Sequence, residues 1–158
     1  MLNSTGMNEK VHIIFPLTPD ESGYPPATSE RMWATRISDG TFEIDNIPFF
    51  VRGISSGDKV VATMREGALF YESTKEYSGN STLRVSISLD DGEELVTTVR
   101  NKLLSELKKL GCTAEVSHIP NLVAVEVPQS VPLESVIRYL EKGVAEKMWD
   151  YEEAALRQ

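Results

Sequence analysis

The chain has 158 residues, an apolar fraction of 41% and a formal charge of −8, enough for one ordinary domain or two small ones, and a composition that excludes disorder of the whole chain. The charge is spread over both halves, with seven basic and eleven acidic groups in residues 1–81 and nine and thirteen in residues 82–158. Neither half has the excess of Lys and Arg that replaces counterions around phosphate, so composition argues against nucleic acid as the main partner and favours solubility or a basic protein partner.

A single cysteine, Cys112, rules out an internal disulfide and reads as a small buried residue at the start of a strand. No apolar run approaches the roughly 20 residues that span a bilayer. Residues 1–6 lack the basic and apolar regions of a secretory leader, so the expected compartment is the cytoplasm, with no membrane contact.

Residues 1–9 are polar and are expected to be disordered. Val11 to Phe15 predicts a short strand ended by Pro16, with His12 at its surface. From Leu17 to Glu30 the prolines and Gly23 oppose helix and central strand alike, which predicts a long loop and a candidate lid or contact loop. Met32–Ile37 and Thr41–Asp45 flank Asp39-Gly40, a hairpin signal because tight hairpin turns need positive φ. Ile47 to Val51 is almost wholly apolar but carries Pro48, which predicts an edge strand or a bulged plug across one end of a barrel. A second hairpin is expected from Lys59–Met64 and Ala68–Thr74 around Glu66-Gly67.

The pattern changes after Ser81. Leu83, Val85, Ile87 and Leu89 alternate with polar residues as in a half-buried strand. Leu95, Val99, Leu103, Leu107 and Leu110 recur at helical spacing behind the acidic Asp90–Glu94, and Gly111 stands at a C-terminal cap position. Thr113–Ser117 and Val123–Val127 predict a second antiparallel pair. A final long helix opens near Pro132, with Leu133, Val136, Ile137, Leu140, Val144 and Met148 as its buried stripe. The acidic tail from Trp149 is expected to lie on the sheet or to face a partner.

The fold class is therefore α+β: a small N-terminal β-barrel-like sheet over residues 10–81, followed over 82–158 by a ferredoxin-like (split βαβ) half that is incomplete, lacking its fourth strand. The edge left open by that missing strand is expected to be filled by Val11–Phe15 or by a second copy of the chain in a homodimer.

Few residues carry chemistry. Ser78 to Arg84 brings backbone amides, hydroxyls, an amide side chain and a guanidinium into seven positions, a set that binds carboxylate or phosphate in some proteins and is a self-capped turn in others. Strand alternation points Thr82 and Arg84 together, with Asn80 just before them. A ligand site there requires Arg84 to be at least partly exposed. Asp58, in Gly57-Asp58, reads as an acceptor for neighbouring amides and only secondarily as an acid. Phe49 and Phe50, if extended, send one ring to each face, and Trp33 is open to either role. Phosphate loop, nucleotide fingerprint, nucleophile elbow and metal-spaced Cys/His pairs are all missing from the sequence, so no cofactor or metal is expected. Cys112 and His118, six residues apart along one strand, are separated by about 20 Å and make a poor catalytic pair.

The set Glu30-Arg31 before Trp33, Asp45 to Phe50, Gly57 to Val60 and Ser78 to Arg84 resembles a bacterial family known as the domain of unknown function numbered 4265. The resemblance covers roughly residues 10–127 and implies a small soluble domain without an assigned activity. The leading expectation is a binding or regulatory module that acts by protein contact, for example an immunity-like protein covering a basic toxin. The alternative is a small-molecule or enzymatic site between the two halves, with Phe49 or Phe50 as the apolar wall and Arg84 and Asn80 as anchors. Single-stranded nucleic-acid binding is a third reading, opposed by the charge.

Overall fold

The computed structural model describes residues 7–157. The chain divides into two compact units, Met1–Ser78 and Gly79–Gln158. Among the described residues it is a mixed α+β protein with nine strands in two sheets and two helices.

In the N-terminal unit, β1 (Lys10–Pro16), β2 (Ser29–Ser38), β3 (Thr41–Ile44), β4 (Lys59–Arg65) and β5 (Ala68–Glu76) pair in sequence order as antiparallel neighbours. β5 then returns beside β1 in parallel, through Ile13↔Leu69 and Ile14↔Phe70, and closes the sheet into a ring. Register shifts in β2–β3 and β4–β5 supply the local bends that a five-strand closure demands. The hairpin at Asp39-Gly40 forms as expected, with Gly40 at φ 76°, a conformation that L side chains rarely adopt. Ile13, Phe15, Met32, Ala34, Phe42, Ile44, Val60 and Ala62 fill the interior.

Two expectations for this unit change. Residues 1–6 lie outside the described residues, but Asn8 donates its N–H to the Arg36 carbonyl and the Glu9 carbonyl accepts from the Arg36 N–H, so residues 8 and 9 run along β2 rather than fraying. Ile47–Val51 is not an edge strand. It is a loop, and its apolar residues Ile47 and Val51 are buried together with Ile54. Consecutive strand amides point in opposite directions, whereas the amides of Phe49, Phe50 and Val51 all reach one carboxylate, that of Glu30.

In the C-terminal unit, β6 (Ser81–Ile87), α1 (Glu93–Lys109), β7 (Thr113–Val116), β8 (Leu122–Val127), α2 (Leu133–Ala145) and β9 (Trp149–Ala155) build a four-stranded antiparallel sheet in the order β7-β8-β6-β9. α1 has acidic residues in its first turn and ends as expected. Gly111, at φ 97°, donates to the Lys108 carbonyl and Cys112 to the Leu107 carbonyl, the paired bonds of a Schellman cap. Leu103 and Leu107 are fully buried with Leu83, Val85, Val125, Val136 and Leu140. Leu95, placed on the stripe by its spacing, is 44% exposed, whereas its neighbour Val96 is buried in the core.

The C-terminal half is not missing a strand. Trp149–Ala155 is β9 and pairs with β6 from Thr82↔Ala155 to Ile87↔Trp149, so the edge assigned to Val11–Phe15 or to a second copy is filled by the chain's own tail. The sequence reading ran α2 on to Met148. The helix instead stops at Ala145, and Lys147 at φ 60° turns the chain into β9. Trp149 fixes the return. Its indole N–H donates to the Leu140 carbonyl at 2.9 Å, and its ring lies so close to Gly143 that a Cβ there would sit 2.1 Å from it. No helix among the described residues is long and apolar enough to cross a membrane.

Candidate functional site

Of the seven residues singled out from the sequence, Trp33, Phe49, Phe50 and Asp58 belong to the N-terminal unit and Asn80, Thr82 and Arg84 to the C-terminal unit.

The loop following β3 is held by two carboxylates. Glu30 shares the inward parity of Met32 and Ala34 on β2 and pairs with Phe15, so its side chain points toward the interior at one end of the ring. There Oε2 accepts the N–H of Phe49 at 2.7 Å, and Oε1 accepts those of Phe50 and Val51, each at 2.9 Å. Three convergent donors compensate the desolvation of an inward carboxylate and fix a loop that has no strand to pair with. Asp58 does the same work further on. It is 0% exposed, with Oδ2 accepting from the Ser55 N–H at 3.0 Å and Oδ1 from the Ser78 N–H at 2.9 Å. These contacts match the structural reading of Asp58.

Phe49 and Phe50 are both half-buried, and the argument that sends one ring to each face falls with the strand assignment. Phe50 meets Tyr24 edge-on at 6.2 Å, which links this loop to the proline-rich loop before β2. That loop is itself knit together: the Asp20 carboxylate accepts from the Ser22 N–H and hydroxyl and from the Tyr24 N–H. The Ser22 hydroxyl first, and then the Tyr24 amide, hold the Asp20 carboxyl below its ordinary range.

Trp33 stands on the outer wall, 47% exposed, its ring tilted against His12 with centroids 3.7 Å apart. Its backbone is pinned, since its N–H donates to Asn46 Oδ1 and its carbonyl accepts from the Asp45 N–H. The Asp45 carboxylate in turn takes the Lys10 ammonium at 2.9 Å and the Thr35 hydroxyl at 2.7 Å. The Asp45-Asn46 turn thus positions an exposed tryptophan.

The turn from Ser78 to Arg84 departs from the expected anion site. Asn80 Oδ1 accepts the Gln129 N–H at 3.2 Å, a capping role. Thr82 is 0% and Arg84 2% exposed. The Arg84 guanidinium donates through Nε at 3.0 Å and through a terminal nitrogen at 2.8 Å to Oε1 of Glu152, its neighbour across the β6–β9 pairing. An anion site here requires Arg84 to be at least partly exposed beside Thr82, and the structural alternative was a buried pair with Asp45 or Asp58. Arg84 is a buried member of an ion pair, with a partner supplied by the strand that the sequence reading omitted.

A hollow of about 450 Å³ lies within the C-terminal unit against Trp149 and Ile87, rimmed by Asp90, Asp150, Asn121 and Lys147. It opens widely to solvent, unlike the enclosed clefts usual for small-molecule sites. Cys112 is inert by environment: it is 6% exposed, and burial, followed by the Glu126 charge, pushes its thiol up to about 11.

Sequence reasoning missed Glu30 as the organiser of the loop. Its signal was present, an acidic residue at an inward position of an alternating strand, followed some twenty residues later by an apolar run with no strand partner. Gly143, a glycine in the buried stripe of α2, was the corresponding signal for Trp149.

No curated protein matches the chain. Its fold recurs in a hypothetical protein from Neisseria gonorrhoeae, with a TM-score of 0.73 over 96% of this chain and 97% of that one. At 20% identity the likeness concerns the fold alone. The sequence profile of one family matches residues 30–151, a span that contains Glu30, the Asp45-Asn46 turn, the Asp58 knot and the Arg84 strand, and on that match the chain belongs to the family described as "Domain of unknown function (DUF4265)".

Proposed function

We propose that the protein is a binding module acting by protein contact, and that the contact is made on the outer wall of the N-terminal ring around Trp33. The observation that carries this reading is a half-exposed tryptophan whose ring rests against His12 and whose backbone is pinned by the Asp45-Asn46 turn. A large aromatic surface on a pinned backbone has few torsions left to order on binding, which is why such residues anchor interfaces. The polar groups of the other candidate positions support the same reading, because Glu30, Asp58, Asn80 and Arg84 are engaged with the protein's own backbone or side chains.

Two finer readings of the architecture accompany it. The parallel β5–β1 closure supports describing the ring as a small β-barrel. The order β7-β8-β6-β9, with a helix after its first and third strands in sequence, supports a complete ferredoxin-like split βαβ arrangement.

The test is photo-crosslinking in the source cells. Trp33→p-benzoylphenylalanine is expected to give a protein adduct of defined mass, and the same substitution at Ser105, exposed on α1, is expected to give none. Equal labelling at both positions, or none at Trp33, overturns the proposal.

A further inference from the structure

The face around Trp33 carries two arginines, Arg31 and Arg65, in a chain whose overall charge is negative. In the β1–β2 register His12 lies opposite Trp33 and Ile14 opposite Arg31, and in the β5–β1 register Ile14 lies beside Phe70. Paired residues share a face, so these five side chains form one strip across three strands, spaced about 5 Å between strands and about 7 Å along each. Trp33 and Arg31 are exposed, while His12, Ile14 and Phe70 are half-buried. Arg65 extends the strip, its guanidinium 4.4 Å from the Phe70 ring centroid.

The cations of this strip are unbalanced. Lys10 is neutralised by Asp45 and Arg36 by Glu9, but neither Arg31 nor Arg65 has a carboxylate partner among the described residues. An arginine spread over an aromatic ring keeps its edge donors for a further acceptor. The strip is thus apolar along its middle, with one guanidinium inside it and one at its end.

We infer that the outer-wall strip Trp33–His12–Arg31–Ile14–Phe70–Arg65 docks an acidic, apolar-bearing peptide segment of the partner. This rests on the contact-module reading above and specifies its partner. The whole-chain charge of −8 points to a basic partner. Screening decides between the two, because charges more than about 8–10 Å away contribute little at physiological salt, and close to the strip the two guanidinium groups of Arg31 and Arg65 face one carboxylate, Glu72, which accepts from the Thr63 hydroxyl opposite Phe70. Nucleic acid fits less well than a peptide. A strand of phosphates is held through several cationic contacts at once, and two guanidinium groups match one or two carboxylates.

The experiment is a titration followed by tryptophan emission, which reports chiefly on Trp33 because Trp149 is only 5% exposed. Three probes are compared at equal concentration: an alternating Glu-Leu octapeptide, an alternating Lys-Leu octapeptide and an eight-nucleotide oligothymidylate. The Glu-Leu peptide is expected to give a saturable change that weakens as salt rises and that is about tenfold weaker in Arg31→Glu. Arg31 is a surface position, and a thermal melt of the variant confirms the folded state before titration. Glu-Leu binding unchanged by Arg31→Glu overturns the inference, as does tighter oligothymidylate binding or the lack of any saturable change with the Glu-Leu peptide. Preference for the Lys-Leu peptide also overturns it but leaves the contact module standing. Failure of crosslinking at Trp33 removes both.

Discussion

Replacing one atom pair in Glu30 tests how the loop from Ile47 to Val51 is held. Glu30→Gln keeps the size and rotamers of the side chain and removes the charge. Its single carbonyl oxygen can still accept two amides, as Oε1 now does from Phe50 and Val51, but the NH2 group then faces the N–H of Phe49, at 2.7 Å the shortest of the three bonds. A hydrogen bond to a charged group contributes about 1.5–3 kcal/mol, and an unsatisfied donor costs about 1–3 kcal/mol more. Because this cluster is only partly buried, water recovers some of the loss, and the expected destabilisation is about 2–3 kcal/mol by urea unfolding. Amide exchange separates local from global effects: Phe49, Phe50 and Val51 are expected to lose protection before β2 and β3 do. A variant within about 0.5 kcal/mol of wild type, with those three amides still protected, would refute the idea that Glu30 fastens the loop.

Gly143→Ala is expected to be severely destabilising although alanine favours helix, because the new methyl would overlap the Trp149 ring at 2.1 Å; a red shift of Trp149 emission would report the displaced indole. Leu103→Ala, at a fully buried position in the C-terminal core, is expected to cost about 2–5 kcal/mol in urea, and a value near zero would place α1 wrongly. Arg84→Lys keeps the charge but cannot reproduce the two donations to Glu152, and a loss of more than about 2 kcal/mol is expected, consistent with a structural arginine. Alkaline pH is expected to destabilise the fold. Cys112 is raised from 9.0 to about 11, and Tyr151 from 10.0 to about 12 by burial and then by its bond to Glu141. Both protonated forms are therefore favoured in the folded state, so their contribution is complete below pH 9 and is lost as pH rises through 11 to 12. Melting temperature measured from pH 8 to 11.5 should fall, and Cys112→Ala should flatten the lower part of that fall.

Local pattern by itself determined most of the elements. Alternation placed β6, short apolar runs bounded by turns placed β1 and β8, the Asp39-Gly40 turn placed the first hairpin, and helical spacing with Gly111 placed α1 and its cap, because each of these signals lies within a few residues of the structure it specifies. Tertiary structure decided what depends on distant partners. Trp149–Ala155 carries Asp150, Glu152 and Glu153 and reads as an acidic tail, yet it becomes β9 because β6 offers it a free edge, Gly143 makes room for its indole and Arg84 meets Glu152. Ile47–Val51 reads as an edge strand or a bulged plug, and it folds as a loop because its amides find the Glu30 carboxylate, nineteen to twenty-one residues away, instead of a neighbouring strand. Arg84 is the clearest case: alternation set its face, but only the arrival of β9 determined whether that guanidinium would meet a ligand or a glutamate.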